Sequence, residues 1–188
     1  TIAVSGDSIN SSKYFKTTIG SEISSLFNKK DNLSTLNCRV INGDPLSGSK
    51  VDCSGFIGYY NNTISVIEEG NNYRMLGWLP FMYNSVPSFS KTSLSWLLGG
   101  EKKVNTNLNG EERAIVVTGE MEKYFPMDIF PMQLIKACMR GDIEKMESLG
   151  IYEVVPEDFG LVDFSCTSKI EAQEIIKNGI EIMLKEVG

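Results

Sequence analysis

The sequence of 188 residues contains no histidine. This absence excludes Ser-His-Asp triads, Cys-His nucleophile pairs, HExxH zinc sites and imidazole proton shuttles, because each of them needs the imidazole ring. Long apolar runs are also missing: segments such as residues 114–117 fall far short of the roughly 20 residues that a membrane-spanning helix needs. The chain is therefore predicted to be soluble and to lack histidine-dependent catalysis.

Closely spaced cysteines are missing as well. Cys38, Cys53, Cys138 and Cys166 are separated by fifteen residues or more, and no CxxC motif occurs. A zinc ribbon or an iron–sulfur cluster held by this chain alone is therefore not expected. The spacing shows no disulfide framework, which favours a reduced cytosolic setting over a secreted one.

The composition is that of an ordinary globular protein, with 41% hydrophobic and 22% charged residues. Its charge is unevenly spread: residues 1–110 hold ten basic and eight acidic side chains, whereas residues 111–188 hold eight and sixteen. The acidic C-terminal part makes nucleic acid a poor partner and favours a solvated acidic helical surface. Because the first residue is Thr1, we expect the chain to be cut or processed from a longer protein.

The first 110 residues are predicted to form a mixed α/β domain. Short β-prone runs alternate with turn-forming residues, and one helix is expected after Ser21, with Ile23, Leu26 and Phe27 on its apolar side. The predicted strands cover residues 2–4, 14–19, 38–41, 56–60, 63–67 and 73–78. The stretch from 80 to 110, rich in Pro, Ser, Asn and Gly, is predicted to be a connector.

Residues 111–188 are predicted to form an acidic helical domain that follows one strand-like run at 114–118. Asp128 is expected to cap the first helix, which Gly141 ends. Asp142 is expected to cap a second helix. Ser168 and Glu171 match a capping box in front of a long final helix.

Two motifs with apparent catalytic character have simpler explanations. The glycine-rich stretch at 42–50 does not match GxxxxGK[ST] and lacks a strand-to-helix switch, so it is interpreted as a connection between strands. The paired acidic residues lack EF-hand spacing and suit the first turns of helices instead. No catalytic or metal-binding residue is therefore predicted.

An aromatic-rich segment offers the best candidate surface. It consists of Trp78, Phe81, Tyr83, Phe89 and Trp96. These side chains either fill the core between elements of the chain or form a docking surface for another subunit or a quinone, since aromatic residues are favoured in both settings. Both interpretations stay open from the sequence.

Several separate blocks resemble one family in the same order. They are VINGDPLSG at 40–48, TISVIEEG at 63–70, ERA at 112–114 and, above all, YFPMDIFPMQL at 124–134. Together they resemble the A subunits of sodium-translocating NADH:quinone reductases, over about residues 38–169. The resemblance implies that this chain corresponds to the C-terminal part of such a protein.

The resemblance also implies a fold. These A subunits are similar to the flavin-binding subunit of respiratory complex I and to the C subunit of a membrane ferredoxin oxidoreductase. Residues 1–27 then resemble the start of a soluble-ligand-binding β-grasp (SLBB) module, and the helical part resembles a ferredoxin-like scaffold. The expected fold class is α+β: a β-grasp-like module over 1–110, followed by a small helical domain over 111–188.

In that C subunit a CxxCxxCxxxCP run holds iron–sulfur clusters through thiolate ligands. The matching positions of this chain are Pro156, Phe159, Val162 and Cys166, followed by Thr167 in place of proline. Three of the four ligands are therefore absent, and one thiolate cannot hold a cubane cluster. The resemblance implies a scaffold that has lost its electron carrier, with Cys166 as a buried remnant.

The family implies a function for the whole complex: it passes electrons from NADH to quinone and pumps sodium ions. This chain is then expected to be a peripheral, cofactor-free part on the cytoplasmic face of the cell membrane, which supports assembly and quinone access. NADH, the flavins and an iron–sulfur centre are expected on other subunits, which are the predicted partners, together with quinone. The alternative is a β-grasp module that binds a small ligand without catalysis.

Overall fold

The computed structural model describes residues 1–9, 11–27, 37–71, 91, 96–97, 104–116 and 119–187. It divides the chain into two compact units, a first unit of Thr1–Asn109 and a second unit of Gly110–Gly188. The first unit has a sheet and the second is helical, so the fold is mixed α/β. Within the described segments, no helix combines the length and the apolar character that crossing a membrane would require.

In the described part of the first unit, five strands form one sheet in the order β2-β1-β5-β3-β4. The strands are β1 (Ile2–Ser5), β2 (Lys13–Phe15), β3 (Cys38–Asn42), β4 (Ser49–Val51) and β5 (Thr63–Glu68). The central pair, β1 and β5, is parallel, and every other neighbouring pair is antiparallel.

One face of this sheet carries the core of the first unit. A single 3₁₀ turn, Ile23–Leu26, closes that face with its two buried apolar side chains. Backbone hydrogen bonds hold the turn: the Ile23 amide donates to Gly55 O at 2.9 Å, and the Ile57 amide donates to Ser21 O at 3.1 Å. The helix predicted after Ser21 is only one 3₁₀ turn. The residues that directly follow Phe27 are polar, so a second turn would have no apolar side chains to bury.

The predicted strand at 56–60 is wrong. Phe56 makes only an isolated bridge to Glu22, and Tyr59 and Tyr60 lie in an exposed turn. Aromatic residues favour strands only where a sheet surface receives them, and here Ile57 alone is buried. The structure has a strand that the sequence did not suggest, β4, whose residues are mostly polar and exposed.

Of the other strands predicted for the first unit, three form, one forms in part and one lies outside the described residues. β1, β3 and β5 form where expected, whereas the run at 14–19 forms a strand only as far as Phe15. The predicted strand at 73–78 lies outside the described residues. So does most of the predicted connector at 80–110.

The second unit packs its helices around one apolar core. The described helices are α1 (Pro131–Arg140), α2 (Ile143–Ser148), α3 (Gly160–Ser165) and α4 (Ala172–Val187), with 3₁₀ turns at Met121–Lys123, Ile151–Glu153 and Pro156–Phe159. The fully buried side chains of this core include Leu134, Ile135, Met146, Ile151, Phe159, Val162 and Ile176.

The junction between α1 and α2 forms as the sequence predicts. Gly141 has a φ of +64°, and its amide donates to Cys138 O at 3.1 Å, while the Asp142 amide donates to Ala137 O at 3.1 Å. This pair of bonds is the glycine-terminated helix end known as the Schellman motif. The Asp142 side chain then accepts from the Lys145 amide at 3.3 Å and caps α2.

Three predictions for the second unit are wrong. Asp128 does not cap α1, which begins at Pro131 directly after Phe130; the fixed φ of proline suits this first position. Residues 114–116, which are the described part of the strand predicted at 114–118, do not form a strand. The capping box of Ser168 and Glu171 does not form either, since the Ser168 hydroxyl donates to Ala114 O at 3.2 Å instead.

Candidate functional site

Of the five residues of the predicted aromatic surface, the structure describes one, Trp96. Trp96 is 50% exposed, and Lys91 Nζ lies 5.4 Å from the centroid of its ring, within the range of a cation–π contact. The other four positions lie outside the described residues: Trp78, Phe81, Tyr83 and Phe89. Their assignment to core packing or to docking stays a prediction.

The four positions that the resemblance aligns with a cluster-ligand run lie on one stretch of the second unit. Pro156 and Phe159 begin and end a 3₁₀ turn, Val162 lies in α3, and Cys166 follows that helix directly. Phe159, Val162 and Cys166 are buried in the core of the second unit, whereas Pro156 is half-buried outside it. The structure thus brings three of the four positions into one apolar core.

The largest of these side chains fills that core. Phe159 is fully buried, and its ring centroid lies 4.7 Å from that of Phe125 at an interplanar angle of 46°. Cys138 belongs to the same core, and burial raises the pKa of its thiol to about 11. A thiol with so high a pKa remains protonated near neutral pH and is a poor nucleophile or metal ligand. Packing therefore dominates the chemistry of this region.

A small cleft, of about 20 Å³, lies next to Cys166. Its lining consists of Ile115, Glu120, Met121, Ser165, Cys166, Thr167 and Ser168. The Thr167 hydroxyl donates to Glu120 Oε2 at 2.8 Å, so two of the polar side chains in the lining already bond each other. A space of this size holds about one water molecule. Sequence reasoning missed the cleft because its two walls are far apart along the chain.

Asp163 in α3 is the residue that caps α4. Its Oδ1 accepts from the Ala172 amide at 2.5 Å, and its Oδ2 accepts from the Gln173 amide at 3.3 Å. These amides have no acceptor within their own helix, so the carboxylate satisfies them. Burial raises the pKa of Asp163, while the hydrogen bonds from Gln173 and Ala172 act in the opposite direction.

Replacing Asp163 by alanine should lower the free energy of unfolding of the second unit by about 1–2 kcal/mol, because two helix amides lose their acceptor. Asp163→Asn keeps one acceptor oxygen and should lose less. Urea unfolding followed by far-ultraviolet circular dichroism, which reports mainly on the helices, measures both. An alanine variant as stable as the wild type would show that the cap does not contribute.

Among the described residues of the first unit, the carboxylate of Glu69, directly after β5, has several polar partners. It accepts from Arg39 Nε at 3.0 Å, from Arg39 Nη2 in a shorter contact, and from the Thr106 hydroxyl at 3.1 Å. Lys50 Nζ lies 4.0 Å away. The hydrogen bonds from Arg39 are the largest cause that lowers the pKa of Glu69. The network ties residues 105–107 to the sheet, since the Thr106 amide also donates to Glu68 O at 3.2 Å.

The lowered pKa of Glu69 predicts a specific dependence of stability on pH. The charged carboxylate stabilises the fold above the pKa of an unfolded glutamate, about 4.3, and this contribution is lost as the pH falls through the lower, folded value. Glu69→Gln should therefore cost about 1–2 kcal/mol at neutral pH and almost nothing in strong acid.

Tryptophan fluorescence during urea unfolding measures this effect, because Trp78 and Trp96, the two tryptophans of the sequence, both belong to the first unit. An equal difference between Glu69→Gln and wild type at neutral and at acidic pH would contradict the assignment. Glu68→Gln is the matched control, since Glu68 is exposed and is the neighbouring residue.

The glycine-rich stretch at 42–50 contains a connection between strands, as the sequence predicts: residues 43–48 join β3 to β4. Asp44 Oδ1 accepts from the Leu46 amide at 2.8 Å and from the Ser47 amide at 3.0 Å, and the Ser47 hydroxyl donates to its Oδ2. These bonds lower the pKa of Asp44 against the opposing effect of burial. The loop amides thus bind a carboxylate of their own turn, which is incompatible with a free anion-binding loop.

Across the segments that the structure describes, no three His, Cys, Asp or Glu side chains are grouped so that they could hold a metal ion. The connected polar groups, Glu69 and Asp163, hold backbone segments in place. The described geometry is therefore one of structural polar contacts and apolar cores. Sequence reasoning missed both carboxylates, because their partners depend on strand register and on helix packing.

Known proteins align with this sequence over nearly its whole length. A protein-family model described as the NQRA C-terminal domain matches residues 1–52. The A subunit of the Na(+)-translocating NADH-quinone reductase from Neisseria meningitidis serogroup C is 33% identical over 190 residues. The protein of the same name is 32% identical over 192 residues in Rhodopirellula baltica and 28% identical over 187 residues in Vibrio campbellii.

Each of these alignments covers 98% of this chain and 41% of the relative. The chain therefore spans about two fifths of the length of the curated relatives it matches. The resemblance that the sequence blocks predict is thus confirmed: over nearly its whole length, the chain is similar to the A subunits of the Na(+)-translocating NADH-quinone reductases.

Proposed function

We propose that this chain is a cofactor-free, peripheral part of a sodium-pumping NADH:quinone oxidoreductase, where it supports assembly and quinone access. The names of its relatives support membership in such a complex. Other subunits are then its partners, and they carry the NADH site, the flavins and the iron–sulfur centre. The acidic second unit and the sheet of the first unit would lie on the cytoplasmic face of the membrane.

The observation that carries the cofactor-free part of this proposal is the packing around Phe159. A cubane cluster needs four thiolates around one shared space. At the matching positions of this chain, Phe159 and Val162 are fully buried in an apolar core, and Cys166 packs into the same core. This arrangement supports a ferredoxin-like scaffold in which apolar packing replaces the metal centre as the source of stability.

The sheet order supports a β-grasp assignment for the first unit. A β-grasp fold places a parallel central pair between two antiparallel hairpins, with a helical element between the second and third strands. The order β2-β1-β5-β3-β4, with β1 parallel to β5, has that form. The 3₁₀ turn Ile23–Leu26 occupies the place of the helical element.

The test uses the natural-length protein that contains this chain, tagged in its native membranes and gently solubilised. We expect Na⁺-stimulated NADH:quinone reductase activity to copurify with the tag, because the chain is held by the other subunits. A tagged protein that leaves the membrane alone, with no associated activity, would contradict the proposal. The alternative, a β-grasp module that binds a small ligand, would then be the better account.

That alternative has its own measurement. A ligand that binds the folded chain must raise its thermal stability. If the alternative holds, a panel of quinones and nucleotides contains a compound that raises the melting temperature of this chain. If the chain is only a docking part, no compound in the panel shifts it.

A further inference from the structure

The register of the β3–β4 hairpin brings two cysteines towards each other. Val40 on β3 faces Val51 on β4. Cys38 lies two residues before Val40, at the start of β3, and Cys53 lies two residues after Val51, in the turn that follows β4. The paired valines thus bring the two cysteine-bearing segments to the same end of the hairpin.

Packing and electrostatics place the same two thiols in one neighbourhood. Cys38 and Cys53 are both half-buried, and both pack against the core of the first unit. Burial raises the pKa of the Cys38 thiol, and the nearby Cys53 and Glu69 raise it further. A disulfide bridges two cysteines whose Cα atoms lie about 4.4–6.8 Å apart, so mapping a cross-link tests how closely the two residues approach.

The other two cysteines of the chain provide an internal contrast. Cys138 and Cys166 are buried in the core of the second unit, each with 6% of its surface exposed. A reagent in solution therefore reaches Cys38 and Cys53 more readily than it reaches these two. The difference in burial separates the cysteines into one accessible pair and two protected thiols.

We propose that Cys38 and Cys53 form a redox-sensitive pair, which a low-molecular-weight disulfide of the glutathione type oxidises to an intramolecular disulfide. This role does not depend on the activity of the complex, but the glutathione pool that it needs rests on the cytoplasmic location proposed above. Stable disulfides are rare in the cytosol, and those that form there are mostly transient and redox-sensing. The pair would report a shift of the thiol pool towards oxidation.

The oxidation of the two cysteines is a thiol–disulfide exchange in which oxidised glutathione is the oxidant. The thiolate of Cys53 attacks one sulfur of oxidised glutathione, the glutathione S–S bond breaks, and one glutathione thiolate leaves. The Cys38 sulfur then attacks Cys53 Sγ in the mixed disulfide and releases the second glutathione. Two electrons pass from the protein thiols to the glutathione disulfide, and the two protons end on the two glutathione thiols.

The bond would close a loop between the first residue of β3 and the turn that follows β4. That turn is held by the Gly55 amide, which donates to Asp52 O at 2.8 Å. A cross-link of this kind restricts the unfolded chain, so the oxidised first unit should resist urea better than the reduced one. Because Cys38 also pairs with Glu68 on β5, the link would reinforce the end of the sheet that carries Glu69.

The experiment uses this chain in its folded form, incubated in buffers of increasing ratio of oxidised to reduced glutathione. Remaining thiols are blocked, the protein is digested with trypsin, and disulfides are mapped by mass spectrometry. We expect one cross-linked product, which joins peptide 31–39, with Cys38, to peptide 51–74, with Cys53. The urea midpoint read by tryptophan fluorescence should rise on oxidation in the wild type.

The control variants are Cys38→Ser and Cys53→Ser, in which oxidation should give no cross-link and no rise of the urea midpoint. Mapping of the wild-type chain remains decisive even if a variant folds poorly. Three results would overturn the proposal: glutathione adducts on Cys38 or Cys53 without a link between them, a link that includes Cys138 or Cys166, or persistent thiols at a large excess of oxidised glutathione.

Discussion

Replacing Phe159 by alanine is expected to destabilise the second unit by about 3–5 kcal/mol, which is the cost of emptying a fully buried phenylalanine site. Phe159 has no exposed surface and packs its ring against Phe125. The loss should appear as a lower urea midpoint in far-ultraviolet circular dichroism. The tryptophan signal of the first unit should remain unchanged, because both tryptophans lie outside the second unit.

Phe130→Ala is the matched control. The Phe130 side chain is 63% exposed, and its contribution to α1 comes from its backbone, whose carbonyl accepts from the Leu134 amide at 3.0 Å. Truncation at this site should therefore change the free energy of unfolding by only about 0.5 kcal/mol. An equal loss of unfolding free energy in the two variants would show that burial of Phe159 does not stabilise the core.

Gly6→Ala is expected to destabilise the first unit by about 3 kcal/mol or more, because the new methyl group meets backbone rather than a movable side chain. Gly6 follows β1 with a φ of +139°, and a Cβ atom there would lie 1.9 Å from Val66 O. Val66 belongs to β5, the parallel partner of β1, so the clash falls on the central pair of the sheet. Urea unfolding followed by tryptophan fluorescence measures the loss.

Gly20→Ala separates the two causes of this loss. Gly20 also has a positive φ, +75°, but no atom lies within 4 Å of the position of an added Cβ. Its substitution should cost about 1 kcal/mol from backbone strain alone. A Gly6 variant no less stable than the Gly20 variant would contradict the close approach of the chain to β5.

The parts of the fold that could be predicted are those with local causes. β1 and β5 have apolar residues that suit a buried strand, and Gly141 and Asp142 end and begin helices through their own backbone and side chain. Several of the features that were missed have non-local causes. Asp163 caps α4 across nine residues, and β4 pairs with the edge of β3 although its own residues are mostly polar.

The candidate sites divide in the same way. The cluster-ligand positions were found through the resemblance, and their burial around Phe159 depends on helix packing that the spacing alone does not specify. The Glu69 network needed the register of β3 against β5, which brings Arg39 near the end of β5. The proximity of Cys38 and Cys53 needed the pairing of β3 with β4.

The central claim is that the second unit is a scaffold whose core replaces an iron–sulfur centre. The most direct test is to purify this chain without oxygen, from cells supplied with iron and sulfide, and to measure iron, acid-labile sulfide and flavin per chain. The account predicts amounts far below one of each per chain, with a folded second unit in the same sample. Stoichiometric iron and sulfide, or stoichiometric flavin, in the folded chain would contradict it.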